Sequence, residues 1–324
     1  MPPTVIVTET LDQAPAQWLA ERTQVVWCSR EQPEQFRQQL AEADGLVIRT
    51  YTQVNDELLR QAPKLKVVGR AGVGLENVDL KACKKRGVVV VYTPEANTQA
   101  VAEYVIALML DALRPRDVLS EPISAEKFHA LRKHHVGHQL DQLTLGILGF
   151  GRIGTRVGRA AHGIGMKLLV NDLLPEAELR KKVDYPFEFI DKPTLYSQSD
   201  VLSLHVDPRP ENHQLINAEV FGQLKPTCLF INAARGMLVD HVALIDWARS
   251  VAQTEDIAGT GVRAILDVHD PEPIPTDSPL YGLPNVWLLP HIAARTRTGL
   301  DNMSWVVRDV VAVLEGREPQ YPAI

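Results

Sequence analysis

The segment "LGILGFGRIG" at Leu145–Gly154 constrains the fold of this 324-residue chain more than any other feature. An apolar run leads directly into three glycines, Gly149, Gly151 and Gly154, which have the spacing G-x-G-x-x-G. In such a loop the first glycine permits a tight turn, the second lets a pyrophosphate approach the backbone, and the third lets a helix pack on the strand. The pattern therefore predicts a strand–loop–helix unit that places an anion at the positive end of a helix.

The residues that follow this loop favour a dinucleotide as the anion. A helix is predicted over Arg152–Gly163, with Arg152 facing the pyrophosphate and Ile153 next to it at the helix start. A second strand, "KLLVND", ends at Asp172, about 20 residues on, where an acidic residue binds the adenosine ribose and repels a 2′-phosphate. We therefore expect NAD rather than NADP as the cofactor. The alternative for Asp172 is a solvated residue at a strand end.

Short apolar runs alternate with longer helical stretches along the whole chain. The first series of strands is expected at Val5–Thr8, Val25–Trp27, Gly45–Ile48, Lys66–Val68 and Val88–Val91. The second series opens at Leu145 and continues at Lys167–Asn171, Val201–His205, Cys228–Asn232, Ala264–Val268 and Val286–Leu289. Strands this apolar, separated by helices, are typical of parallel sheets that are covered on both faces. The sequence therefore predicts an α/β fold with two halves.

Two further segments are predicted to be helical. Asn97–Leu113, between the two halves, has almost no polar interruption after Glu103. A helix that is apolar on most sides is buried between layers or at a subunit interface, so we expect this one to connect the halves and to form a dimer contact. The last segment, Thr298–Glu315, is predicted to be one amphipathic helix.

Composition argues against several classes of protein. The net charge of -6 disfavours nucleic acid or an anionic membrane as the main partner. The three cysteines are far apart and lack CxxC spacing, which disfavours a disulfide framework or a zinc site. No signal peptide and no run of about 18 apolar residues is present, so we expect a cytoplasmic protein without a membrane span.

A histidine cluster is the one feature that suggests a metal. The segment "HHVGH" places His134, His135 and His138 close together, and imidazole is a ligand of zinc and nickel. No cysteine or acidic residue nearby completes such a site, and the segment precedes the glycine-loop strand, where a loop is expected. We therefore expect no bound metal.

Three later segments carry the residues of a redox reaction. They are "INAARGMLVD" with Arg235, "ILDVHDPEP" with Asp267 and Glu272, and "LLPHIAART" with His291, and each follows a predicted strand. An arginine holds a carboxylate with two parallel hydrogen bonds, and a histidine transfers a proton near neutral pH. With a nicotinamide, this set reduces a 2-oxo acid or oxidises a 2-hydroxy acid. The alternative is an ordinary loop histidine and a surface Arg-Gly turn, because spacing alone does not show that these residues meet.

These motifs, together with "GRAGVGLENVDLKACKKRGVVVVYTPEANTQAVAEY" and "LHVDPRPENHQLIN", resemble the D-isomer-specific 2-hydroxyacid dehydrogenase family over nearly the whole chain. The resemblance implies a Rossmann-type, doubly wound NAD-binding domain over residues 98–296. It also implies a smaller, flavodoxin-like α/β substrate-binding domain formed by residues 1–97 and 297–324. Members of the family form homodimers through the NAD domain, which agrees with the apolar helix described above.

The resemblance also implies roles for single residues. Arg235 would bind the substrate carboxylate, and His291 would be the acid/base, paired with Glu272. Asp267 would hold the nicotinamide carboxamide. The remaining cofactor-binding residues implied are Ala233, on the nicotinamide side, and His205, on the adenine side.

The substrate-binding residues that the resemblance implies lie in the first half of the chain. They are the backbone of Ala71, Gly72, Val73 and Gly74, which would cradle the substrate carboxylate, and Asn97. Arg49 matches a basic residue that helps to bind a phosphate in phosphoglycerate-type members; the alternative is a surface arginine. Arg295 either adds positive charge beside the site or faces solvent, and we favour solvent.

The predicted function is NAD-dependent interconversion of a D-2-hydroxy acid and its 2-oxo acid, with a small anionic acid as substrate. Two alternatives remain open. One is an NAD(H)-binding protein-interaction module of the corepressor type, which keeps the same Arg/Glu/His set. The other is a related dehydrogenase that acts on a different substrate, such as formate. That enzyme group pairs its histidine with glutamine, so Glu272 disfavours it. The sequence leaves the identity of the acid open.

Overall fold

The computed structural model describes residues 2–29, 31–116, 118–134, 136–253 and 260–324. The chain divides into two units, each with its own parallel sheet. Unit 1 comprises Met1–Asn97 and Ala294–Ile324, and unit 2 comprises Thr98–Ala293. The sequence places its two boundaries after residues 97 and 296, so the second boundary of the structure falls three residues earlier.

Five strands form the sheet of unit 1 and seven form that of unit 2 among the described residues. The strands of unit 1 are β1 (Thr4–Val7), β2 (Gln24–Trp27), β3 (Gly45–Ile48), β4 (Val67–Arg70) and β5 (Val89–Tyr92). Those of unit 2 are β6 (Thr144–Leu148), β7 (Lys167–Asn171), β8 (Glu188–Phe189), β9 (Val201–Leu204), β10 (Leu229–Asn232), β11 (Ala264–Leu266) and β12 (Val286–Leu288).

The helices alternate with these strands. They are α1 (Gln13–Ala20), α2 (Pro33–Leu40), α3 (Asp56–Gln61), α4 (Leu80–Lys85), α5 (Thr98–Leu113), α6 (Ala125–His134), α7 (Arg152–Gly163), α8 (Glu176–Arg180), α9 (Lys192–Gln198), α10 (Ala218–Gln223), α11 (His241–Val251), α12 (Arg297–Ser304) and α13 (Val307–Leu314). Side chains cap several of them; Asp240, for example, accepts the Val242 and Ala243 amides at the start of α11. None of the described helices is long and apolar enough to cross a membrane.

The sheet of unit 1 has the order β2-β1-β3-β4-β5, and every pair is parallel. Its two faces are covered by separate cores, as expected for apolar parallel strands. One face packs against valines of α13, and Gly69 in β4 lies directly under Val310 there. The chain order reverses between β1 and β3, which makes the ends of these strands a topological switch point.

The sheet of unit 2 has the order β12-β11-β10-β9-β6-β7-β8, again entirely parallel. The chain enters at β6, runs outward through β7 to β8, and returns to β9 on the other side of β6. This is the doubly wound arrangement, with its switch point between β6 and β9. Both sheets confirm the predicted α/β class, and the order in unit 1 is that of a flavodoxin-like sheet.

The structure corrects the prediction for the C-terminal segment. The sequence predicts one helix over Thr298–Glu315, whereas α12 ends at Ser304 and α13 begins at Val307. The Ser304 hydroxyl donates to the Leu300 carbonyl within its own helix and lies 3.0 Å from Asp12 Oδ2. After it, the Arg308 amide bonds to the carbonyl of Trp305, only three residues back. Local side-chain bonding and tightened turns of this kind interrupt a helix.

Candidate functional site

The glycine loop lies at the carboxyl end of β6, at the switch point of unit 2. Gly149 has a φ of 94°, and a Cβ there would come within 2.7–2.8 Å of the backbone of His205 and Val206. A Cβ on Gly154 would collide with the Gly149 carbonyl. A Cβ on Gly151, in contrast, would meet no described atom within 4 Å. The first and third glycines are therefore required by the fold, and the second leaves the backbone open to a ligand.

Helix α7 begins directly after this opening, with Gly151 as its N-cap. No described side chain caps it, and its first turn has no acidic residue. Arg152 is exposed at this start, and Ile153 is half-buried behind it. The free N–H groups of a first helical turn and the helix dipole both favour an anion. The loop and the helix start together fit the pyrophosphate of a dinucleotide.

Asp172 follows β7 and ties that strand to the glycine loop. Its Oδ2 accepts the Phe150 amide at 2.6 Å, and its Oδ1 accepts the Leu174 amide at 2.8 Å. A carboxylate has about four acceptor positions, so two remain for ribose hydroxyls. The geometry is compatible with the predicted ribose contact, which stays a prediction.

His205 follows β9 on the other side of the switch point. Its Nε2 lies 3.0 Å from the Ser203 hydroxyl. Burial lowers the pKa of His205 to about 4, so the imidazole is neutral at neutral pH. The wall that this residue forms beside Gly149 is therefore polar but uncharged.

Arg235 lies in the turn after β10, and Asn232 shapes this turn. The Asn232 amide Nδ2 donates to the Arg235 carbonyl at 2.8 Å, and its Oδ1 accepts the Ala234 amide at 3.0 Å. The Arg235 Nη1 donates to the Ala234 carbonyl at 2.8 Å. Ala233 is buried at the end of the strand, and the Arg235 side chain is half-buried. The turn thus fixes the backbone from which the guanidinium projects.

His291 and Glu272 meet although 19 residues separate them. Nδ1 of His291 lies 2.8 Å from Oε2 of Glu272, and Oε1 of Glu272 accepts the His269 amide at 2.8 Å. Burial alone would raise the pKa of Glu272, but the hydrogen bonds from His291 and the His269 amide outweigh it and lower the pKa. An ionised carboxylate therefore holds Nδ1 as a donor and leaves Nε2 as the nitrogen that exchanges a proton.

Asp267 supports the turn that carries His291. Its carboxylate is fully buried and accepts the amides of Ile292 and Ala293, each at 2.9 Å. Burial raises the pKa of Asp267, and these two hydrogen bonds oppose that rise. His291 has a φ of 54°, which is uncommon for a residue other than glycine, and such backbone strain clusters at active sites. The predicted contact of Asp267 with the nicotinamide carboxamide stays a prediction.

The turn of Arg235 packs against the loop of Glu272. Gly236 lies directly on the backbone of His269 and Asp270, and a Cβ there would overlap both residues. The strands β10, β11 and β12 are adjacent and parallel, so their carboxyl ends lie along one edge of the sheet. Arg235, Glu272 and His291 are therefore on three neighbouring loops of unit 2.

In unit 1, Arg49 follows β3. Its amide donates to Glu9 Oε1 at 3.1 Å, and its Nη1 donates to the Thr10 carbonyl at 3.2 Å. Burial lowers the pKa of Arg49; Asp12 and Glu9 oppose this, and Arg295 adds to it. Arg295 is thus close enough to Arg49 to repel it, although its own side chain is exposed.

The predicted carboxylate cradle is the turn after β4. The Ala71 amide donates to the Ile48 carbonyl at 2.8 Å, so the turn begins against the end of β3. Gly72 has a φ of 153°, and a Cβ there would overlap the Arg70 guanidinium. Val73 and Gly74 continue this turn, and Asn97 is the last residue of the first segment of unit 1. The substrate roles of all these residues stay predictions.

Three residues that organise these sites were not singled out from the sequence: Glu9, Asn232 and His269. An asparagine at the end of a strand is typical of a turn in which its side chain bonds the backbone two residues on, so the sequence around Asn232 indicates such a turn. Glu9 and His269 had none, because their partners are set by the tertiary fold. Of the histidine cluster, His135 lies outside the described residues. Among the described residues, no group of three metal-ligating side chains is positioned to hold an ion.

Comparison with known proteins identifies the family. Residues 106–293 match the family model described as "D-isomer specific 2-hydroxyacid dehydrogenase, NAD binding domain". This match covers more than half of the chain and lies within unit 2. The chain belongs to the D-isomer-specific 2-hydroxyacid dehydrogenase family, and NAD is the cofactor of its unit 2.

Individual relatives agree with this assignment. The chain is 36% identical over 324 residues to glyoxylate/hydroxypyruvate reductase B of Escherichia fergusonii, covering 98% of this chain and 96% of the relative. It is 33% identical over 317 residues to D-3-phosphoglycerate dehydrogenase of Synechocystis, covering 97% of this chain but only 55% of that protein. The chain thus spans about half the length of the phosphoglycerate dehydrogenases it matches. A crystal structure from Thermus thermophilus superposes with a TM-score of 0.81 at 33% identity, covering 99% of this chain and 100% of that one.

Proposed function

We propose that this protein interconverts a D-2-hydroxy acid and its 2-oxo acid with NAD(H), using His291 and Glu272 as the acid/base pair and Arg235 as the carboxylate anchor. The observation that carries this proposal is the 2.8 Å contact between His291 Nδ1 and Glu272 Oε2. A histidine whose Nδ1 is held by a carboxylate is the arrangement of a general acid/base, and the turn of Arg235 packs against the same loop as Glu272.

Bound NADH supplies the hydride that reduces the carbonyl carbon of a 2-oxo acid. In that direction His291 donates the proton on Nε2 to the carbonyl oxygen. Glu272 stabilises the imidazolium before the transfer, because its carboxylate accepts a hydrogen bond from Nδ1–H and Nδ1 keeps its proton throughout. In the oxidation direction the neutral Nε2 accepts the hydroxyl proton, and the same carboxylate stabilises the cation that forms.

Arg235 serves the other end of the substrate. Its guanidinium offers two parallel N–H donors to a carboxylate, a geometry that lysine does not reproduce. Because the Asn232 bonds fix the turn beneath it, the guanidinium is restrained before a substrate arrives. In unit 1, taken by itself, the backbone of Ala71–Gly74 and the side chain of Asn97 are the proposed substrate-binding groups.

The proposed substrate is a small anionic 2-oxo or 2-hydroxy acid. The relatives named above act, by their names, on glyoxylate, hydroxypyruvate or 3-phosphoglycerate. Oxidation of NADH by the purified protein is therefore measured with glyoxylate, hydroxypyruvate, pyruvate, phosphohydroxypyruvate and a branched 2-oxo acid. The variants Arg235→Ala and His291→Ala accompany the wild type, with Arg180→Ala, a surface arginine of the same unit, as the control.

We expect turnover of at least one acid, loss of that turnover in Arg235→Ala, and no change in Arg180→Ala. His291→Ala should lower kcat by about 10²- to 10⁴-fold while NADH still binds. A wild-type kcat in His291→Ala would remove this residue from the mechanism. NADH binding without turnover of any acid would instead favour the protein-interaction module.

We also propose that the protein is a homodimer formed through unit 2. Most of the apolar surface of α5 is already covered within its own unit, where it packs against α7. The exposed apolar residues Val118, Leu119, Phe128 and Val136 of unit 2 offer additional surface for a partner subunit. Light scattering after size exclusion tests this proposal, and a mass equal to one chain would refute it.

A further inference from the structure

His269 makes two hydrogen bonds that lead to the two members of the acid/base pair. Its backbone amide donates to Oε1 of Glu272 at 2.8 Å. Its imidazole Nε2 lies 2.7 Å from the carbonyl oxygen of Leu289, which is two residues before His291. A carbonyl oxygen only accepts, so Nε2 carries a proton and donates it. One residue therefore contacts both the glutamate and the segment that carries the histidine.

The side-chain bond lies just beyond the end of the sheet ladder. Leu266 pairs with Leu288 at the ends of β11 and β12, and the Leu289 amide donates to the Leu266 carbonyl at 2.9 Å. Past this point the two loops no longer follow the regular ladder. The bond from His269 to Leu289 connects the loop after β11 to the loop after β12 on the side where His291 lies.

Packing alone does not fix the His269 ring. The residue is only 9% exposed, yet it borders a cavity of about 260 Å³ that His241 also lines. The ring nitrogen Nδ1 is buried and has no hydrogen-bond partner among the described residues. The bond from Nε2 is thus the directional contact that sets the ring, and it ties the loop after β11 to Leu289, in addition to the bonds that Asp267 makes to Ile292 and Ala293.

We propose that His269 is a positioning residue for the His291–Glu272 pair: its amide aims the carboxylate, and its imidazole holds the Leu289 backbone that carries His291. The proposal rests on the acid/base function proposed above. A shift of a few tenths of an ångström between the loops would lengthen the Nδ1–Oε2 contact, and proton transfer depends steeply on such geometry.

Three substitutions test the side-chain bond. His269→Phe keeps an aromatic ring but removes the Nε2–H donor. His269→Asn has a shorter side chain, whose amide does not reach the Leu289 carbonyl oxygen. His269→Gln carries an amide nitrogen near the position of Nε2 and retains the donor. We expect kcat to fall about tenfold in His269→Phe and His269→Asn, and to recover to within about threefold of wild type in His269→Gln. KM and the NADH dissociation constant should change by less than about twofold in all three, because neither site is displaced.

A double-mutant cycle separates positioning from general support of the fold. If His269 acts through the pair, then adding His269→Phe to Glu272→Ala lowers kcat little further, because the alanine variant has already lost the contact with His291 Nδ1. If it acts by general stabilisation, the two losses multiply. His241→Asn is the matched control, since His241 borders the same cavity without bonding Leu289; its kcat should stay within about twofold of wild type.

The outcomes are distinguishable from failure of the proposed function. If His291→Ala retains a wild-type kcat, the acid/base assignment fails whatever His269 does. If His291→Ala is slow but either donor-free variant, folded by thermal melting, runs at the wild-type rate, only the positioning role of His269 fails. Multiplying losses in the cycle, or an equal loss in His241→Asn, would also overturn it.

Discussion

Both units have a switch point between two parallel strands, but in unit 1 a carboxylate of the chain occupies it, whereas in unit 2 its backbone is open to a ligand. In unit 1 the carboxylate of Glu9, just after β1, accepts the amides of Arg49, Thr50, Tyr51 and Thr52 in the loop after β3, at 2.9–3.3 Å. In unit 2 the glycine loop after β6 leaves its backbone open at Gly151, and α7 begins beside it without a side-chain cap among the described residues. One crevice is filled by the chain's own anion, and the other is left for the anion of a ligand.

The difference concerns the backbone N–H groups that a switch point leaves without partners in the sheet. Parallel strands that diverge on either side of a crevice leave N–H groups at its mouth, and these groups need acceptors. In unit 1 the Glu9 carboxylate accepts these N–H groups, so the loop after β3 is held in place and its amides are not available to a ligand. Unit 2 reserves them, so cofactor binding supplies contacts that the free protein lacks. We therefore expect ligand-dependent stability from the second crevice and intrinsic stability from the first.

The largest effect is expected for the open crevice of unit 2. Gly149→Val places a β-branched side chain at a φ of 94° and against the backbone of His205. We expect NADH affinity to fall by about 100-fold or more and the melting temperature to drop, because loop and fold are both disturbed. Gly151→Ala should weaken NADH binding by a similar factor at an unchanged melting temperature, because its Cβ meets no described atom within 4 Å.

Fluorescence titration with NADH and thermal melting of the free protein measure this pair. Gly163→Ala, at the far end of α7, is the control, since a Cβ there also meets no described atom within 4 Å. Wild-type NADH affinity in Gly151→Ala would show that no phosphate approaches this backbone.

The filled crevice gives the second prediction. Glu9→Ala leaves four amides without their acceptor, and we expect the free energy of unfolding to fall by about 2–3 kcal/mol. Formate should restore part of the loss, because it is a carboxylate that fits the vacated position. NADH affinity should not change, since Glu9 lies in unit 1. Denaturant unfolding with and without formate measures the effect, with the surface residue Glu42→Ala as the control. Unchanged stability in Glu9→Ala would contradict the role of Glu9 as an internal anion.

This contrast was only half visible in the sequence. The glycine loop is a local pattern, since strand, turn and helix follow within ten residues, and the structure places α7 over the predicted range. Glu9 is separated by 40 residues from the first of its donors, so no local pattern marks it. The same applies to His269, whose partner Leu289 is 20 residues away. Contacts that depend on how distant loops meet require the fold itself.

Eleven of the twelve described strands were predictable because each is a short apolar run, and their ends lie within two residues of the predicted ones. The edge strand β8, Glu188–Phe189, is two residues long and has no such run, so the sequence does not indicate it. Helix α6, Ala125–His134, is not indicated by the sequence either, because its segment is mostly polar and lacks an apolar stripe. The pairing of His291 with Glu272 was expected only from the family resemblance, because sequence spacing does not show that two residues on different loops meet. Their chemistry remains a prediction.

The third prediction concerns the acidic residue at the side of the open crevice. Asp172→Ala removes the acceptor of the Phe150 amide and the proposed ribose acceptor together. We expect NADH affinity to fall by about ten- to thirtyfold, whereas NADPH affinity stays the same or rises, because a negative charge is lost. Asp172→Asn keeps an oxygen for the Phe150 amide and separates the two roles. Equal weakening of NADH and NADPH would show that Asp172 only supports the loop.

The smallest effect is expected for His205, the residue after β9 at the switch point of unit 2. Its counterpart in unit 1 is Arg49, the residue after β3. Burial lowers the pKa of His205 to about 4, whereas an unfolded histidine titrates near 6.5. Between these values the unfolded chain binds a proton that the folded one does not, so stability falls as the pH decreases from about 6.5 toward 4. We expect the wild type to lose about 1 kcal/mol more than His205→Gln between pH 7.5 and 5.5. Denaturant unfolding at both pH values measures this, with exposed His213→Gln as the control. Identical pH slopes in wild type and His205→Gln would mean that the pKa of His205 is the same in the folded and unfolded chain, so burial would not keep this imidazole neutral at acidic pH.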